Sequence, residues 1–493
     1  MTDEIVAVES GRLRGRVFDD HRTFQGIPYA APPVDGLRWR SPQPLQPWAG
    51  VRDATEPGSP CPQTAQVFAD VSSVDEDCLN LNVTTPNTPG PKPVMVWLHG
   101  GGGANGEGAI FDAHRLAVAE DVVVVTPNSR LGIFGYFGYP GLEGSGGFGL
   151  EDQQAALRWV RRNIAAFGGD PSNVTLFGES YGALNVSAHL VSPPAAGLFD
   201  RVIVQSGFAL MDAPANTWLP GQPALPTMWA SGEELQGMAA HVVGQSGWIK
   251  PDSGLPDLEQ LRRVPVEELL EFSAYFSRPS FGASVLPASP VDALRSGRFH
   301  RVPVLAGQTR DEARLFVALF FGVTAESYDR LVAESFGANA DRVAREYPPG
   351  DGPALAWAQI LSDRAWSLST WDFLHALAPH TPTYAYEFAD RDAPAIVPFP
   401  EGFPPGAHHS AEVAYQFDLG EPANLTTEQW RFAGEMNAYW AAFARSGDPN
   451  RDGLPAWPRF DPADPHTQQL APGAIGRTDF AAEHRLAFWE KLR

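Results

Sequence analysis

A serine stands between two glycines in the segment Gly178-Glu179-Ser180-Tyr181-Gly182. This Gly-x-Ser-x-Gly spacing is typical of a nucleophile elbow, a tight strand-to-helix turn that exposes the serine hydroxyl. Side chains at the two glycine positions would collide with the turn and its neighbours. The N-terminus of the helix that follows also favours the negative charge that develops during nucleophilic attack. The motif therefore predicts that Ser180 is a nucleophile.

An earlier glycine cluster offers a second part of the same chemistry. The apolar run PVMVWL leads directly into residues 99–103, HGGGG. Acyl transfer to a serine requires N–H donors that stabilise the anionic oxygen of the tetrahedral intermediate, and glycines let a backbone approach a ligand closely. A flexible surface loop is the alternative. The buried strand predicted before the cluster favours a loop that donates backbone N–H groups.

A serine nucleophile also needs a base and an acid that orients the base. In chains with the order nucleophile, acid, histidine, the acid follows a later strand. The segment VPVLAGQTRDE offers Asp311 and Glu312, and the segment GAHHSAEVAYQF offers His408 and His409. Spacing alone leaves both pairs open.

Predicted strands and one predicted helix position these residues. Each strand is an apolar run that ends in small or polar residues, which is typical of strands buried on both faces of a parallel sheet. Strands that alternate with helices predict an α/β protein with a large, mostly parallel central sheet flanked by helices. The strands are predicted within residues 93–98, 121–130, 173–180, 201–207 and 301–312, and the helix within residues 150–168.

We expect residues 1–493 to form a single domain, because no linker-like segment, internal repeat or low-complexity block divides the chain. Length alone would favour about three domains, but large α/β enzymes can form one domain that is longer than this estimate allows. Two helix-rich excursions of the same domain are predicted, at about residues 210–285 and 320–380. The first of them is expected near the mouth of the site.

Composition and charge argue against several function classes. The 493 residues are 43% apolar and carry a formal net charge of −22, which disfavours nucleic acid or an anionic membrane as a partner. No apolar run approaches the roughly 18 residues of a spanning helix. The N-terminus begins with acidic residues and lacks the apolar core of a signal peptide. We therefore expect a cytoplasmic protein, with a secreted mature form as the alternative, and a monomer or small homo-oligomer.

With these residues in place, the chain resembles the type-B carboxylesterase/cholinesterase family of α/β-hydrolases, and it looks like the bacterial carboxylesterases of the para-nitrobenzyl esterase kind. The resemblance covers nearly the whole chain and implies the α/β-hydrolase fold, with helical insertions that shape the active-site gorge. The motifs that carry it, in the family's order, are FQGIPYAAPPVDGLRWRSPQP, EDCLNLNV, SRLGIFGYF, GLEDQQAALRWVRRNIAAFGGDPSNVTLFGES, YWAAFARSGDPN and LPAWPRFD.

The resemblance selects one residue from each open pair. The family's acid is the glutamate of a DEG-like motif, which falls on Glu312 in TRDEA. The family's histidine precedes a glutamate by three positions, as His409 precedes Glu412. The resemblance thus implies a triad in which His409 takes the proton of Ser180 and Glu312 orients the imidazole. It also implies an oxyanion hole made of the backbone N–H groups of Gly101, Gly102 and Tyr181.

Further residues are implied to have supporting roles. Ser206, in QSG, matches a family serine near the acid, and Glu179 is expected to support the triad with it. The implied structural ion pairs are Arg38 with Glu76 and Arg130 with Asp152.

Cys61 and Cys78 fit neither a CxxC motif nor a zinc pattern. Two unrelated reduced thiols are the usual state in a cytosolic protein. The two cysteines also fall where secreted members of the family carry a loop disulfide. The resemblance therefore implies a bridge in the oxidised protein, whereas the lack of a signal peptide favours free thiols.

Two positions depart from the family pattern. The family usually has alanine after the nucleophile, where this chain has Tyr181, and a bulky aromatic residue after the glycine trio, where this chain has Gly103. We hypothesise that the two changes are paired. The Tyr181 ring would then occupy the space vacated at position 103 or form a wall on the acyl side of the site.

These features predict a serine esterase that hydrolyses carboxylic esters through an acyl-enzyme intermediate, without a metal or an organic cofactor. A carbamate or amide hydrolase with the same triad is the nearest alternative. A non-catalytic, cholinesterase-like binding protein is the alternative from another class. Such proteins typically lose triad residues, and all three are present here.

Overall fold

The computed structural model describes residues 2–67, 69–248, 257–420 and 422–493. The strands are β1 (Thr2–Val8), β2 (Gly11–Val17), β3 (His21–Pro28), β4 (Val51–Asp53), β5 (Asn80–Pro86), β6 (Lys92–Leu98), β7 (Phe111–Asp112), β8 (Val123–Pro127), β9 (Gly169–Glu179), β10 (Arg201–Gln205), β11 (Ala230–Ser231), β12 (Ser280–Phe281), β13 (Val304–Thr309), β14 (Thr383–Phe388), β15 (Asp418–Leu419), β16 (Thr467–Leu470) and β17 (Gly476–Thr478). The α-helices are α1 (His114–Glu120), α2 (Gly132–Tyr136), α3 (Phe148–Asn163), α4 (Tyr181–Val191), α5 (Gly232–Ser246), α6 (Leu258–Arg262), α7 (Val266–Leu270), α8 (Pro290–Arg295), α9 (Arg314–Phe320), α10 (Ala325–Phe336), α11 (Ala340–Glu346), α12 (Pro353–Leu361), α13 (Leu368–Leu377), α14 (Val413–Gln416), α15 (Thr427–Ser446), α16 (Phe480–Glu483) and α17 (Leu486–Glu490).

A thirteen-stranded sheet forms the centre of the described structure. Its order is β1-β2-β3-β5-β8-β6-β9-β10-β13-β14-β16-β17, and β4 pairs with β2. The neighbouring strands β8, β6, β9, β10, β13, β14 and β16 run parallel to one another. The ladders that join β1, β2, β3, β5 and β8, and the pair β16–β17, are antiparallel. The predicted α/β architecture with a mostly parallel central sheet is confirmed.

Strand β6 shows how both faces of this sheet are buried. Val94, Val96 and Leu98 pack into the core on one face, whereas Met95 and Trp97 pack into the core on the other. This division follows because successive side chains of a strand point to opposite faces. Helices α3 and α4 cover the first face, and α1 and α15 cover the second. An apolar run without polar alternation is therefore the correct signature of this strand.

The predicted strands correspond to β6, β8, β9, β10 and β13. The predicted helix corresponds to α3, which is followed by a 3₁₀ turn at Ile164–Phe167. Gly168 ends that turn with a φ of 85°, a left-handed conformation that glycine adopts without a steric penalty. Local sequence patterns therefore predicted where these strands and this helix end.

The first helix-rich excursion is less helical than the prediction for residues 210–285. Helices α5, α6 and α7 lie in this range, but residues 210–229 contain no α-helix, and Ala213 there pairs with Leu225. Four prolines between residues 214 and 226 explain the difference, because proline lacks an N–H group and breaks a helix interior. Residues 249–256, which the prediction also covered, lie outside the described residues.

Helices dominate residues 320–380, where α10 to α13 follow one another. A π-helical turn at Ser362–Ser367 connects α12 to α13. These helices form a separate apolar core with α17, which includes Trp357, Trp366 and Trp489. No α-helix in the described ranges is long and apolar enough to cross a lipid bilayer.

Both implied ion pairs are formed, and the Arg130–Asp152 pair is buried. Arg38 binds Glu76 through Nε at 2.8 Å and Nη2 at 2.5 Å, and Nη1 of Arg38 donates to the carbonyl oxygen of Val264 at 2.6 Å. Arg130, three residues after the end of β8, binds Asp152 of α3 through Nε and Nη2, each at 2.7 Å. The bidentate Arg130–Asp152 pair therefore joins the segment after β8 to α3, and the Nη1 bond of Arg38 joins the N-terminal segment to the α6–α7 region.

Cys61 and Cys78 are free thiols in this structure, and both are buried. The disulfide that the resemblance implies is therefore not formed here. The neighbouring thiol of Cys61, together with burial, raises the pKa of Cys78 well above its ordinary value. The backbone N–H of Leu131 donates to Sγ of Cys61 at 3.2 Å. The thiols are neighbours, so pairing in the oxidised protein stays a prediction.

We predict that oxidised protein has no titratable thiol and that reduction releases two. The reason is that the buried thiols of Cys61 and Cys78 are neighbours in the structure. The measurement is a thiol titration under denaturing, non-reducing conditions, repeated after reduction. The variant Cys78→Ala is the control and should show one thiol in both states. Two free thiols before reduction would rule out the bridge for that preparation.

Candidate active site

Ser180 lies at the turn between β9, which ends at Glu179, and α4, which begins at Tyr181. Its backbone has a φ of 55° and a ψ of −122°. Residues other than glycine rarely adopt this region, which costs on the order of 1–3 kcal/mol. Such strain persists only where the surrounding structure fixes the backbone, and it is concentrated at functional sites. The turn therefore has the strained geometry of a nucleophile elbow.

Two glycines let this turn pack against the end of β6. A Cβ atom at Gly182 would lie 1.9 Å from the carbonyl oxygen of Leu98, and one at Gly178 would lie 2.6 Å from the same oxygen. Both distances are far below van der Waals contact, and a backbone oxygen within a sheet has no room to move away. The Gly-x-Ser-x-Gly spacing is thus required by the close approach of β9, α4 and β6.

Two hydrogen bonds link Ser180 to a buried carboxylate. The hydroxyl of Ser180 lies 2.8 Å from Nε2 of His409, and Nδ1 of the same ring lies 2.5 Å from Oε2 of Glu312. The carboxylate favours the tautomer with the proton on Nδ1, which leaves Nε2 to accept the proton of Ser180. Glu312 is held in turn by the backbone N–H of Thr309, which donates to Oε1 at 3.0 Å. This arrangement can remove a proton from Ser180 and stabilise the resulting imidazolium.

Asp311 and His408, which spacing left as alternatives, make other contacts. Asp311 forms ion pairs with Arg391 at 3.0 Å and with Arg314 at 3.2 Å. Nδ1 of His408 lies 2.8 Å from the carbonyl oxygen of His409. The structure therefore brings Glu312 and His409, rather than their neighbours, to Ser180.

Buried carboxylates surround His409. Glu179, Glu312 and Glu412 are 4%, 0% and 0% exposed. Burial alone would lower the pKa of His409, but the charges of Glu179 and Glu312 outweigh burial and raise this pKa above its ordinary value. Burial raises the pKa of Glu412 to about 8, and the neighbouring glutamates add to the effect. The carboxylates around the ring therefore stabilise the imidazolium that forms when His409 takes a proton, and burial disfavours the charged form of Glu412.

The glycine loop after β6 lies beside the elbow. A Cβ atom at Gly100 would be 3.2 Å from Cβ of Ser180 and 2.9 Å from Oε2 of Glu179. Gly101 and Gly102 continue this loop, while Tyr181 is the first residue of α4. The first N–H groups of a helix have no partner within that helix. The three backbone N–H groups implied by the resemblance thus belong to the two segments that flank Ser180.

The Tyr181 ring fills the space beside Gly103. A Cβ atom at Gly103 would lie 2.5 Å from Cζ and 2.6 Å from Cε2 of this ring, and 2.7 Å from the carbonyl oxygen of Ser277. The tyrosine is 7% exposed and packs edge-on against Tyr136, with ring centroids 5.8 Å apart. Of the two placements hypothesised from the sequence, the ring takes the space vacated at position 103.

Sequence reasoning missed an aromatic group beside the imidazole. The rings of Phe316 and Trp366 lie 5.1 Å and 6.0 Å from the ring of His409, and Trp218 packs edge-on against both of them. These residues come from α9, from the π-helical turn and from the irregular segment after β10. No periodic pattern connects three such segments, so only their aromatic type was available as a signal.

Ser410, directly after His409, was also missed. Its hydroxyl donates to Oε1 of Glu179 at 2.6 Å. The same oxygen lies 3.3 Å from Nε2 of His409. A hydroxyl-bearing residue next to a candidate base was the one signal that the sequence offered.

Ser206 and Glu179, the expected supporting residues, differ in their contacts. Ser206 follows β10, and its backbone N–H donates to the carbonyl oxygen of Gly307 at 2.9 Å. Its buried hydroxyl has no hydrogen-bond partner among the residues that the structure describes. Glu179 therefore contacts the imidazole directly, whereas Ser206 forms no hydrogen bond to Glu312.

One group of side chains in the described ranges has the spacing of a metal site, namely Asp20, His21 and His114, whose ligand atoms lie within 4.8 Å of one another. Their contacts are hydrogen bonds within the group, at 2.6 Å from His21 to Asp20 and 3.2 Å from His114 to Asp20. Asp20 lies just before β3, His21 begins β3, and His114 begins α1. These two elements carry none of the candidate site residues.

Comparison with known proteins places this geometry among esterases. The chain matches a model of the carboxylesterase family over residues 2–489. It is 32% identical to the para-nitrobenzyl esterase of Bacillus subtilis (strain 168) over 477 residues, which cover 93% of each protein. It is 33% identical over 507 residues to the acylcarnitine hydrolase of Mus musculus, which is 95% of this chain and 86% of that protein. A solved PNB esterase structure has a TM-score of 0.81 and 30% identity over 100% of both chains.

Gly103→Ala should destabilise the protein, because the new Cβ would overlap the Tyr181 ring and the Ser277 carbonyl at a backbone φ of 76°. We expect the free energy of unfolding to fall by about 2–4 kcal/mol, measured by urea denaturation with tryptophan fluorescence. Adding Tyr181→Ala should recover part of this loss, because it removes the ring but leaves the carbonyl in place.

Gly102→Ala is the matched control for this experiment. Gly102 also has a positive φ, 62°, but a Cβ atom there meets no heavy atom of the described chain within 4 Å. The free energy of unfolding of Gly102→Ala should fall by about 1 kcal/mol, because only backbone strain is added. Equal losses in the two alanine variants, or no recovery with Tyr181→Ala, would show that the ring and residue 103 do not share one space.

Proposed function

Because the chain belongs to the carboxylesterase family and is a carboxylic ester hydrolase, we propose that Ser180, His409 and Glu312 are its catalytic triad. One observation carries the proposal. Hydrogen bonds of 2.8 Å and 2.5 Å join the serine hydroxyl, the imidazole and the buried carboxylate, and the serine sits at a strained strand-to-helix turn.

In the proposed reaction, the Ser180 hydroxyl attacks the ester carbonyl while Nε2 of His409 takes its proton. Glu312 stabilises the imidazolium through Nδ1. The imidazolium then gives its proton to the leaving alcohol, and the acyl group remains on the serine. Water next attacks the acyl-enzyme with His409 again acting as the base, and the carboxylic acid leaves.

The proposed oxyanion hole consists of the backbone N–H groups of Gly101, Gly102 and Tyr181. Donors of this kind act in the transition state, where the carbonyl oxygen becomes negative. The contact between the glycine loop and the elbow supports this role. The N-terminus of α4 adds a partial positive charge at the same point.

Small carboxylic esters are the proposed substrates. The similar proteins are named for para-nitrobenzyl esters and acylcarnitines, and this chain matches the carboxylesterase family model over residues 2–489. The net charge of −22 disfavours nucleic acid as a partner. We further propose that residues 1–493 form one domain, that the segments 210–285 and 320–380 shape its pocket, and that the enzyme is a monomer or small homo-oligomer.

Ser180→Ala should lower kcat for a para-nitrophenyl ester by about 10⁴-fold or more, because the triad acts as a unit. An organophosphate should label the wild-type protein at Ser180, as read by mass spectrometry of the modified peptide, and should leave the variant unlabelled. His409→Gln should lose turnover to a similar extent. His408→Gln is the matched control and should keep most of it, because Nδ1 of His408 faces a backbone carbonyl. Substantial turnover in Ser180→Ala would contradict the proposed triad.

Tyr181→Ala should shift the preference of the enzyme toward esters with longer acyl chains. Loss of the Tyr181 ring opens space beside the proposed oxyanion donors, while the backbone N–H of residue 181 remains. A single methylene that gains a pocket is worth about 1–3 kcal/mol, so kcat/KM for propanoate relative to acetate esters should rise by about tenfold or more. Tyr181→Phe keeps the ring and is the control, with an unchanged profile. An acyl-chain profile in Tyr181→Ala equal to that of the wild type would refute this assignment.

A further inference from the structure

Ser410 has a backbone conformation that its residue type disfavours. Its φ is 67°, in the left-handed region where a Cβ atom crowds the backbone and where glycine is the usual residue. Ser410 follows His409 directly, so the strain lies next to the proposed base. A strained residue at such a place points to a contact that the side chain must make.

The contact is with Glu179. The Ser410 hydroxyl donates to Oε1 of Glu179 at 2.6 Å, and the same oxygen lies 3.3 Å from Nε2 of His409. The other oxygen, Oε2, rests against Gly100, where a Cβ atom would be only 2.9 Å away. The carboxylate is therefore confined between the imidazole, the Ser410 hydroxyl and the glycine loop.

Two oxygens compete for Nε2 of His409. The Ser180 hydroxyl lies at 2.8 Å, and the Glu179 carboxylate lies at 3.3 Å. A carboxylate is the stronger partner once the imidazole carries a proton, because a hydrogen bond between charged groups is stronger than one to a neutral hydroxyl. Something must keep Glu179 from closing on the ring during the reaction.

We propose that Ser410 is a positioning residue for the proposed triad, and that its hydroxyl holds Glu179 beside Nε2 of His409 rather than on it, so that Nε2 stays directed at Ser180. This role rests on the proposed function, since it has meaning only if His409 is the base. The hydroxyl occupies the lone pair of Oε1 that would otherwise turn toward the ring. The left-handed backbone at Ser410 is what places the hydroxyl there.

The loss of this hydroxyl changes the protonation of His409 in a defined direction. The charged or titratable groups near the ring are Glu312 at Nδ1, Glu179 at Nε2, and Glu412 and His408 on the same loop, whereas the Phe316 and Trp366 rings carry no charge. Without the Ser410 hydroxyl, Oε1 of Glu179 keeps its contact with Nε2 of His409 at 3.3 Å, and Nε2 can donate to it when the imidazole is protonated. The protonated form of His409 therefore becomes more stable relative to the neutral base, and the apparent pKa of the coupled His409–Glu179 pair rises.

The experiment uses the full-length protein with Ser410→Ala and Ser410→Gly. Both variants should move the acid limb of the kcat/KM profile to higher pH by about 1–2 units, the size expected for the loss of one hydrogen bond to a charged group. The glycine variant also relieves the left-handed backbone, so its thermal midpoint should equal or exceed that of the alanine variant. A purely structural role would change the thermal midpoints and leave the pH profiles of both variants like that of the wild type.

The variant Glu179→Gln should shift the pH profile in the direction opposite to that of the two Ser410 variants. It removes the negative charge beside Nε2, so the acid limb should move to lower pH. Ser410→Ala added to Glu179→Gln should cause no further shift, because the hydroxyl acts through the carboxylate. Unchanged pH profiles in both Ser410 variants, or the same shift in the Glu179→Gln background, would overturn the proposal.

Ser180→Ala separates this proposal from the proposed function. If Ser180→Ala is inactive and the Ser410 profiles are unchanged, only the role of Ser410 is wrong. If Ser180→Ala keeps its turnover, the triad is wrong and the role of Ser410 falls with it.

Discussion

The close contact between α4 and the end of β6 is the constraint on which the site depends. Only a residue without a Cβ fits at Gly182, because the carbonyl oxygen of Leu98 occupies the position 1.9 Å from where that atom would be. The contact fixes the start of α4 against the strand whose next residues form the glycine loop. Ser180 and this loop are therefore neighbours through backbone packing, before any side chain contributes. The strained φ of Ser180 follows, because the chain must turn within one residue between two fixed elements.

Charge balance is the second condition that the fold must meet. Three buried glutamates lie near a single imidazole. A buried carboxylate is costly in a medium of low polarity unless a hydrogen bond or an opposite charge stabilises it. Glu312 has Nδ1 of the imidazole and a backbone N–H, and Glu179 has the Ser410 hydroxyl. Glu412 accepts a longer hydrogen bond of 3.3 Å from Gln205, and burial raises its pKa to about 8. Burial therefore disfavours a third negative charge beside the imidazole.

Local patterns predicted the framework, because buried strands, a helix stop and an elbow are each specified by neighbouring residues. Spacing could not separate Glu312 from Asp311, since adjacent residues after a strand are equivalent until the loop geometry is known. The motif resemblance favoured Glu312, and the structure has it at the imidazole. The irregular course of residues 210–229 was not anticipated, although the prolines there disfavour helix. The contact of Ser410 with Glu179 joins residues far apart in the chain, and no local pattern reports such a contact.

The pairing of Gly103 with Tyr181 shows why single positions of a motif are poor guides to a site. Protein interiors are packed close to the density of organic crystals, so a ring lost at one position leaves a cavity unless another group fills it. The elbow uses only the backbone N–H of residue 181 in the proposed oxyanion hole, which leaves the side chain free to serve packing. A tyrosine there is compatible with the elbow because its ring lies where a Cβ atom of residue 103 would have been. The Tyr181 ring thus fills, from the other side of the proposed donors, the volume that a side chain at position 103 would otherwise occupy.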